Sequence, residues 1–233
     1  DEIIAWLSSS MTHDLAFSKD GTRIARVCED GFLHLYSTKD FESQSWKIAD
    51  VPVYCVGFLE SRGSIATCDQ LGVIKLIDAS SGSCIATIGD KSRKTHTMAI
   101  HPNEDFLITG EVDGVLSVWN IDSAERIHQF RLESLGSIKS LAVSDDGRAL
   151  VTGCTEGRVC CFDVSDSWSF RPMFKGKALD RIQHIALDNR RKIVAACDKN
   201  GAIRLWNYEN YNDSHQSSQT TPELAWQAYS KRG

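Results

Sequence analysis

Eight cysteines, seven histidines and a scatter of turn carboxylates are the groups in this 233-residue chain with the means to do chemistry. Four of the thiols, Cys28, Cys68, Cys154 and Cys197, stand three or four residues before a glycine: Gly31, Gly72, Gly157 and Gly201 respectively. Disulfides or zinc would be the chemistry of such a set, but zinc ligands come in close pairs and nothing here has that spacing. Cys160 and Cys161 are adjacent, so on a strand their side chains point to opposite faces. The thiols read as small apolar core groups of a reducing compartment, with no metal and no cofactor implied.

The carboxylates Asp30, Asp113 and Glu156 could serve acid–base chemistry, as in a five-bladed glycoside hydrolase, where two carboxyls stand roughly 5–9.5 Å apart. All three sit beside turn glycines, where a structural role is the simpler reading. His13, His96, His101 and His184 lie near apolar segments, and no Ser, His and Asp set stands out. No Gly-rich loop follows a strand and opens a helix to cradle phosphate. Trp119 and Trp206 could stack a ligand, but each occupies a position that recurs along the chain, which favours packing. The expectation is a protein that is not an enzyme.

The elements that hold these residues repeat. Gly31, Gly72, Gly114, Gly157 and Gly201 are 41, 42, 43 and 44 residues apart. Five residues after each comes a large apolar side chain: Tyr36, Ile77, Trp119, Phe162 and Trp206. Fourteen residues before each sits another: Phe17, Phe58, Ile100, Val143 and Leu187. A period in the low forties with three anchors in phase is a repeat architecture. Within a unit the alternation has period two, and Asp30-Gly31 or Asp113-Gly114 separates short apolar runs, which predicts hairpins. Each unit supplies four short strands. One domain over 1–233 is expected, with repeats at roughly 12–50, 51–90, 94–132, 137–178 and 181–229. A lone four-stranded sheet cannot bury both faces, and radial stacking of sheets solves that.

Composition fits this picture. Hydrophobic residues make up 42% and charged residues 24%, with a net charge of −5. An acidic balance disfavours a broad phosphate-binding surface, and the short clusters Lys91, Arg93, Lys94 and Arg190, Arg191, Lys192 read as solvated loop tips. No apolar run approaches the ~18 residues that span a bilayer, so direct membrane insertion is not expected. The opening residues Asp1-Glu2-Ile3-Ile4 do not read as a charged-then-apolar secretion signal.

The pattern resembles the WD-repeat (Trp-Asp) β-propeller family over roughly residues 12 to 208. Leu141 to Gly157 is close to the family's central stretch, and Phe162-Asp163 takes the place of the Trp-Asp pair. Trp119-Asn120 and Trp206-Asn207 are near matches, Ile77-Asp78 keeps the Asp, and Tyr36-Ser37 keeps an aromatic. The resemblance implies an all-β propeller of about five four-stranded blades. Its structural repeat positions would be Asp30, Gly31, Gly72, Asp113, Gly114, Trp119, Gly157, Phe162, Gly201 and Trp206. Family members often link a His to an Asp beside the turn glycine through a buried network. Here the His slot holds Ser8, Ala49, Lys91, Ser134 and Ala178, so that network is expected to be missing.

Five units fall short of the family's usual seven. Glu2 to Leu7 and Glu223 to Tyr229 both offer an outer strand, one more than a closed five-unit ring needs, and Glu209 to Pro222 reads as a linker. The simpler reading is a piece of a larger propeller or an open arc; a closed five-unit ring is the alternative. The resemblance implies a non-catalytic scaffold for other proteins, intracellular, in the cytoplasm or nucleus. Carried over by position, the contact residues are Glu29, Gln70, Val112, Thr155 and Lys199, two before each glycine. Membership of a ribonucleoprotein or a membrane-traffic assembly is the alternative setting, and direct nucleic-acid binding is not expected.

Overall fold

Five four-stranded antiparallel sheets follow one another along the chain, in a computed structural model that describes residues 10–89, 94–132, 136–165, 168, 170–177, 180–208 and 226–228. Sheet one comprises β1 (Thr12–Phe17), β2 (Arg23–Cys28), β3 (Phe32–Ser37) and β4 (Ser43–Lys47). Sheet two comprises β5 (Val53–Leu59), β6 (Ser64–Asp69), β7 (Ile74–Asp78) and β8 (Cys84–Ile88). Sheet three has β9 (Thr95–Ile100), β10 (Phe106–Glu111), β11 (Val115–Asn120) and β12 (Arg126–Arg131). Sheet four has β13 (Ile138–Val143), β14 (Ala149–Cys154), β15 (Arg158–Asp163) and β16 (Arg171–Lys177). Sheet five has β17 (Ile182–Asp188), β18 (Ile193–Asp198), β19 (Ile203–Asn207) and β20 (Trp226–Ala228). The expected segments at Glu2 to Leu7, Glu209 to Pro222 and the residues Lys91 and Arg93 lie outside the described residues, while β20 falls within the predicted C-terminal outer strand.

Register is the same in every unit. Tyr36 lies opposite Ile24, Ile77 opposite Ile65, Trp119 opposite Leu107, Phe162 opposite Leu150 and Trp206 opposite Val194. These large cross-strand pairs fix which face of each sheet is apolar. The hairpin turn before each third strand needs a left-handed residue, and Gly31 supplies it at φ 77°. A Cβ there would stand 2.1 Å from the Ala49 carbonyl oxygen, so the position excludes any side chain.

The first strands β1, β5, β9, β13 and β17 run side by side in that order, and each packs on the first strand of the sheet before it. Four core clusters fill the four boundaries between consecutive sheets. Ile77 plugs the first boundary, Trp119 the second, Phe162 the third and Trp206 the fourth, each at most 6% exposed. Burial of one such side chain contributes about 2–3 kcal/mol, so the wedges weld the arc together. Cys160 packs in the third boundary and Cys161 in the fourth, as adjacent strand residues must.

Among the described residues no fifth cluster joins sheet five back to sheet one. Leu15 of sheet one is 56% exposed, whereas its counterparts Val56, Leu141 and Ile185 are at most 9% exposed. Ile203 on the far face of sheet five is 41% exposed, while Leu33, Ile74, Leu116 and Val159 in the same slot are fully buried. The sheets form an open arc, an incomplete propeller of the WD type. No helix among the described residues is long and apolar enough to cross a membrane.

Candidate partner-binding face

The two ends of the arc are built differently. At the end carrying the turns between first and second strands, side chains stitch each sheet to the next. The Lys19 amide donates to Glu60 Oε1 at 2.7 Å, and the Glu60 amide to Glu104 Oε1 at 3.1 Å. His101 Nε2 meets the Gly147 carbonyl at 3.2 Å, and the Asp145 amide donates to Asn189 Oδ1 at 3.1 Å. Each of the four boundaries between sheets thus carries a polar contact at that end.

The opposite end carries the second turns, where Glu29, Gln70, Val112, Thr155 and Lys199 all lie. Their backbone amides are equivalent: each donates to the carbonyl eighteen residues earlier, at Met11, Pro52, Lys94, Ser137 and Arg181, over 2.9–3.1 Å. The five thus occupy one geometric position on successive sheets. Glu29 and Lys199 are exposed; Gln70, Val112 and Thr155 are half-buried.

Facing each of them is a β-bulge in the first strand. The register between first and second strands slips by one residue in all five sheets, and the extra residues are His13, Tyr54, His96, Lys139 and Gln183. A bulge leaves its residue out of the ladder and re-aims the side chain, which is why bulges recur beside binding sites. In sheets one and two the bulge residue pairs with its turn residue: His13 Nε2 with Glu29 Oε2, and Tyr54 Oη donating to Gln70 Oε1 at 3.3 Å. The rings also continue from sheet to sheet, His13 edge-on to Tyr54 at 4.6 Å and Tyr54 stacked with His96 at 6.3 Å. In sheet three the turn residue is Val112, which offers no polar atom, and in sheet four Thr155 Oγ1 is taken by the Ser137 amide at 3.0 Å. His96 and Lys139, both half-buried, thus make no such pairing with their turn residues.

Glu29 and Asp30 stand in the sheet-one sector of this face, and Asp113, Glu156 and Asp180 lie among Lys94, Lys139, Arg181 and Lys199 in sheets three to five. Immediately around His96 and Lys139, however, the charges that act are positive, Lys94 on both and Arg181 on Lys139. Burial, then the Lys139 and Lys94 charges, lower the His96 pKa to about 4, so the imidazole is neutral at physiological pH. Burial, then Arg181 and Lys94, also lower the Lys139 ammonium below its ordinary value.

The repeat positions expected from sequence fall into two groups. Gly31, Gly72, Gly114, Gly157 and Gly201 all have positive φ in turns, and Trp119, Phe162 and Trp206 are buried. Asp30 and Asp113 are exposed; Asp30 Oδ1 accepts the Phe32 amide at 3.2 Å, and Asp113 itself takes φ 58°. The buried turn carboxylates lie two residues earlier in the motif. Asp69 accepts the amides of Leu71 and Val73 at 2.9 and 3.0 Å, and Asp198 those of Asn200 and Ala202 at the same distances. Sequence reasoning missed them because Cys28, Glu111 and Cys154 hold that slot in the other sheets. It missed the bulges too, since no residue type marks them.

Three metal-ligand types meet in sheet one: Cys28, Asp30 and His34 place ligand atoms within 4.8 Å of one another. His34 Nδ1 is engaged by Ser45 Oγ at 2.6 Å, while its buried Nε2 has no partner. Burial and then the Arg26 guanidinium lower the His34 pKa, and that fixed positive charge works against a second cation.

The family described as Nucleolar protein 10-like, N-terminal domain, a β-propeller, matches residues 6–225. Curated relatives carry WD-repeat names. WD repeat-containing protein 26 homolog of Arabidopsis thaliana is 24% identical over 193 residues, covering 82% of this chain and 31% of the relative. WD repeat-containing protein 55 of Mus musculus is 25% identical over 151 residues, covering 64% and 38%. WD repeat-containing protein 46 of Homo sapiens is 21% identical over 180 residues, covering 77% and 28%. The chain thus spans about a third of the length of these relatives.

Proposed function

The chain belongs to the nucleolar protein 10-like family of WD-repeat β-propellers, and we propose that it is a non-catalytic protein-interaction scaffold that grips its partners on the second-turn end. The observation that supports this is the bulge repeated at one register position in all five sheets, filled by four different side-chain types, histidine twice. Packing requirements keep a slot uniform, as they do at the wedges. A slot whose geometry is kept while its chemistry changes is suited to reading a partner. Contacts would come from His13, Tyr54, His96, Lys139 and Gln183 with Glu29, Gln70, Val112, Thr155 and Lys199 beside them. All five repeats are taken to act as one domain.

The family's nucleolar description favours a nuclear setting and service within a ribonucleoprotein assembly, entered through protein contacts. The net charge of −5 speaks against an autonomous nucleic-acid site, since affinity there comes from neutralised phosphates.

A photo-crosslinking residue placed at Tyr54 or Lys139, and separately at Thr22 or Asn103 on the stitched end, tests the reading. Specific partner crosslinks are expected from the first pair of sites alone. Crosslinks confined to the second pair would reverse the orientation and defeat the proposal.

A further inference from the structure

We propose that the sector of the second-turn face spanning sheets three to five takes an acidic peptide segment of a protein partner, held by Lys94, Lys139 and Arg181 around the ring of His96. The inference rests on the second-turn end being the binding end and adds the chemistry of what binds there.

Placement comes first. Lys94 precedes β9 and its carbonyl accepts the Val112 amide; Arg181 precedes β17 and its carbonyl accepts the Lys199 amide. Lys139 is the bulge residue of β13, in the sheet between them. Three cations from three adjacent sheets are therefore brought to one stretch of surface, close enough for Lys139 to feel both Lys94 and Arg181.

Their side chains make no ion pair among the described residues, whereas Arg23 pairs with Glu60, Arg62 with Asp105 and Asp122, Arg191 with Asp188, and Lys192 with Asp146. Asp180, next to Arg181, accepts the Arg181 amide at 2.6 Å and Asn200 Nδ2 at 2.9 Å, and its charge acts on Lys199 and Arg181. Lys94 and Lys139 are each held near a further cation, and a partner's carboxylates would relieve that repulsion.

The surroundings favour a peptide over a nucleic acid. Val112 and the stacked pair of Tyr54 and His96 supply apolar and aromatic surface beside the charges, suited to a hydrophobic side chain between acidic ones. A phosphodiester strand following the face beyond sheet three would meet Glu29 and Asp30 in sheet one. A short acidic segment can stay on Lys94, Lys139 and Arg181, with a basic flank directed to Glu29 and Asp30.

The full chain can be titrated with a fluorescent Glu/Asp-rich peptide containing one Leu, a Lys/Arg-rich peptide of equal length, and a single-stranded oligonucleotide. Saturable binding of the acidic peptide is expected, weakened by salt and weakened about tenfold or more by Lys139→Glu with Arg181→Glu. Lys139→Arg should retain binding, and unchanged urea midpoints would show that the variants fold. Absence of acidic-peptide binding, insensitivity to the double reversal, or preference for either other probe would overturn the proposal. If crosslinks from Tyr54 and Lys139 still capture a partner while the acidic peptide fails, the binding face stands and its charge preference falls.

Discussion

Trp119 donates its indole N–H to the Thr109 hydroxyl at 3.0 Å, and that hydroxyl donates onward to Glu111 Oε1 at 3.1 Å, all three residues being buried. Sheet three therefore has a polar chain of its own where the family's His-linked network was expected to be missing. In sheet one the same two slots hold Tyr36 and Arg26, joined at 3.3 Å. Trp119 is therefore both an apolar plug and a hydrogen-bonding anchor, and Tyr36, its counterpart in sheet one, shares the second of these roles.

Thr109→Val removes the middle of that chain while keeping the shape of the side chain. The indole N–H and Glu111 Oε1 would each lose the bond to this hydroxyl in the core, costing about 1–3 kcal/mol. Urea unfolding followed by Trp fluorescence measures it. Thr109→Ser should recover most of the loss, because the hydroxyl returns.

The balance between legible and hidden features follows from this. Wedges and turn glycines were readable because packing and positive φ each admit few residue types, so Gly31, Trp119 and their counterparts keep phase. The open arc was foreshadowed by the count of five repeats, though the exposure of Leu15 and Ile203 needed coordinates. The bulges were invisible because a bulge is a backbone register event and admits any side chain. His13 and Lys139 share a place and nothing else. The buried turn carboxylates were hidden by mixing: Asp69 and Asp198 accept turn amides, whereas Glu111 in the same slot accepts from Thr109, and Cys28 and Cys154 hold it in the other two sheets.

Gly31 and Gly21 separate conformational from steric cost. Both have positive φ, 77° and 70°, but a Cβ at Gly21 meets nothing within 4 Å. Gly21→Ala should cost about 1 kcal/mol, the left-handed penalty alone. At Gly31 the carbonyl also receives the amides of Ile48 and Ala49 at 3.0 and 3.2 Å, so the turn cannot shift to make room. Gly31→Ala should cost several times more, visible as a much larger drop in urea midpoint.

His96 gives a titration test. Its pKa is lowered to about 4 by burial and then by Lys139 and Lys94. The unfolded chain protonates its imidazole near pH 6.5 and the folded chain only near 4. As pH falls between those values the unfolded state binds the extra proton, so the stability His96 contributes above pH 6.5 is lost through that window. NMR titration of the ring should show the depressed value, and Lys139→Glu should move it upward by removing one repelling charge and adding an attracting one.

Leu15 and Val56 occupy the same slot on sheets one and two, yet one is 56% exposed and the other 8%. In sheet two the slot packs on the sheet before it; in sheet one that neighbour is missing among the described residues. Val56→Ser should cost about 2 kcal/mol, while Leu15→Ser should stay within roughly 0.5 kcal/mol of the parent. Comparable losses at both sites in urea unfolding would mean that Leu15 is covered in solution, by a further sheet or by a second copy. Sedimentation of the parent and of Leu15→Ser with Phe17→Ser would distinguish these, because only self-association through this face disappears on making it polar.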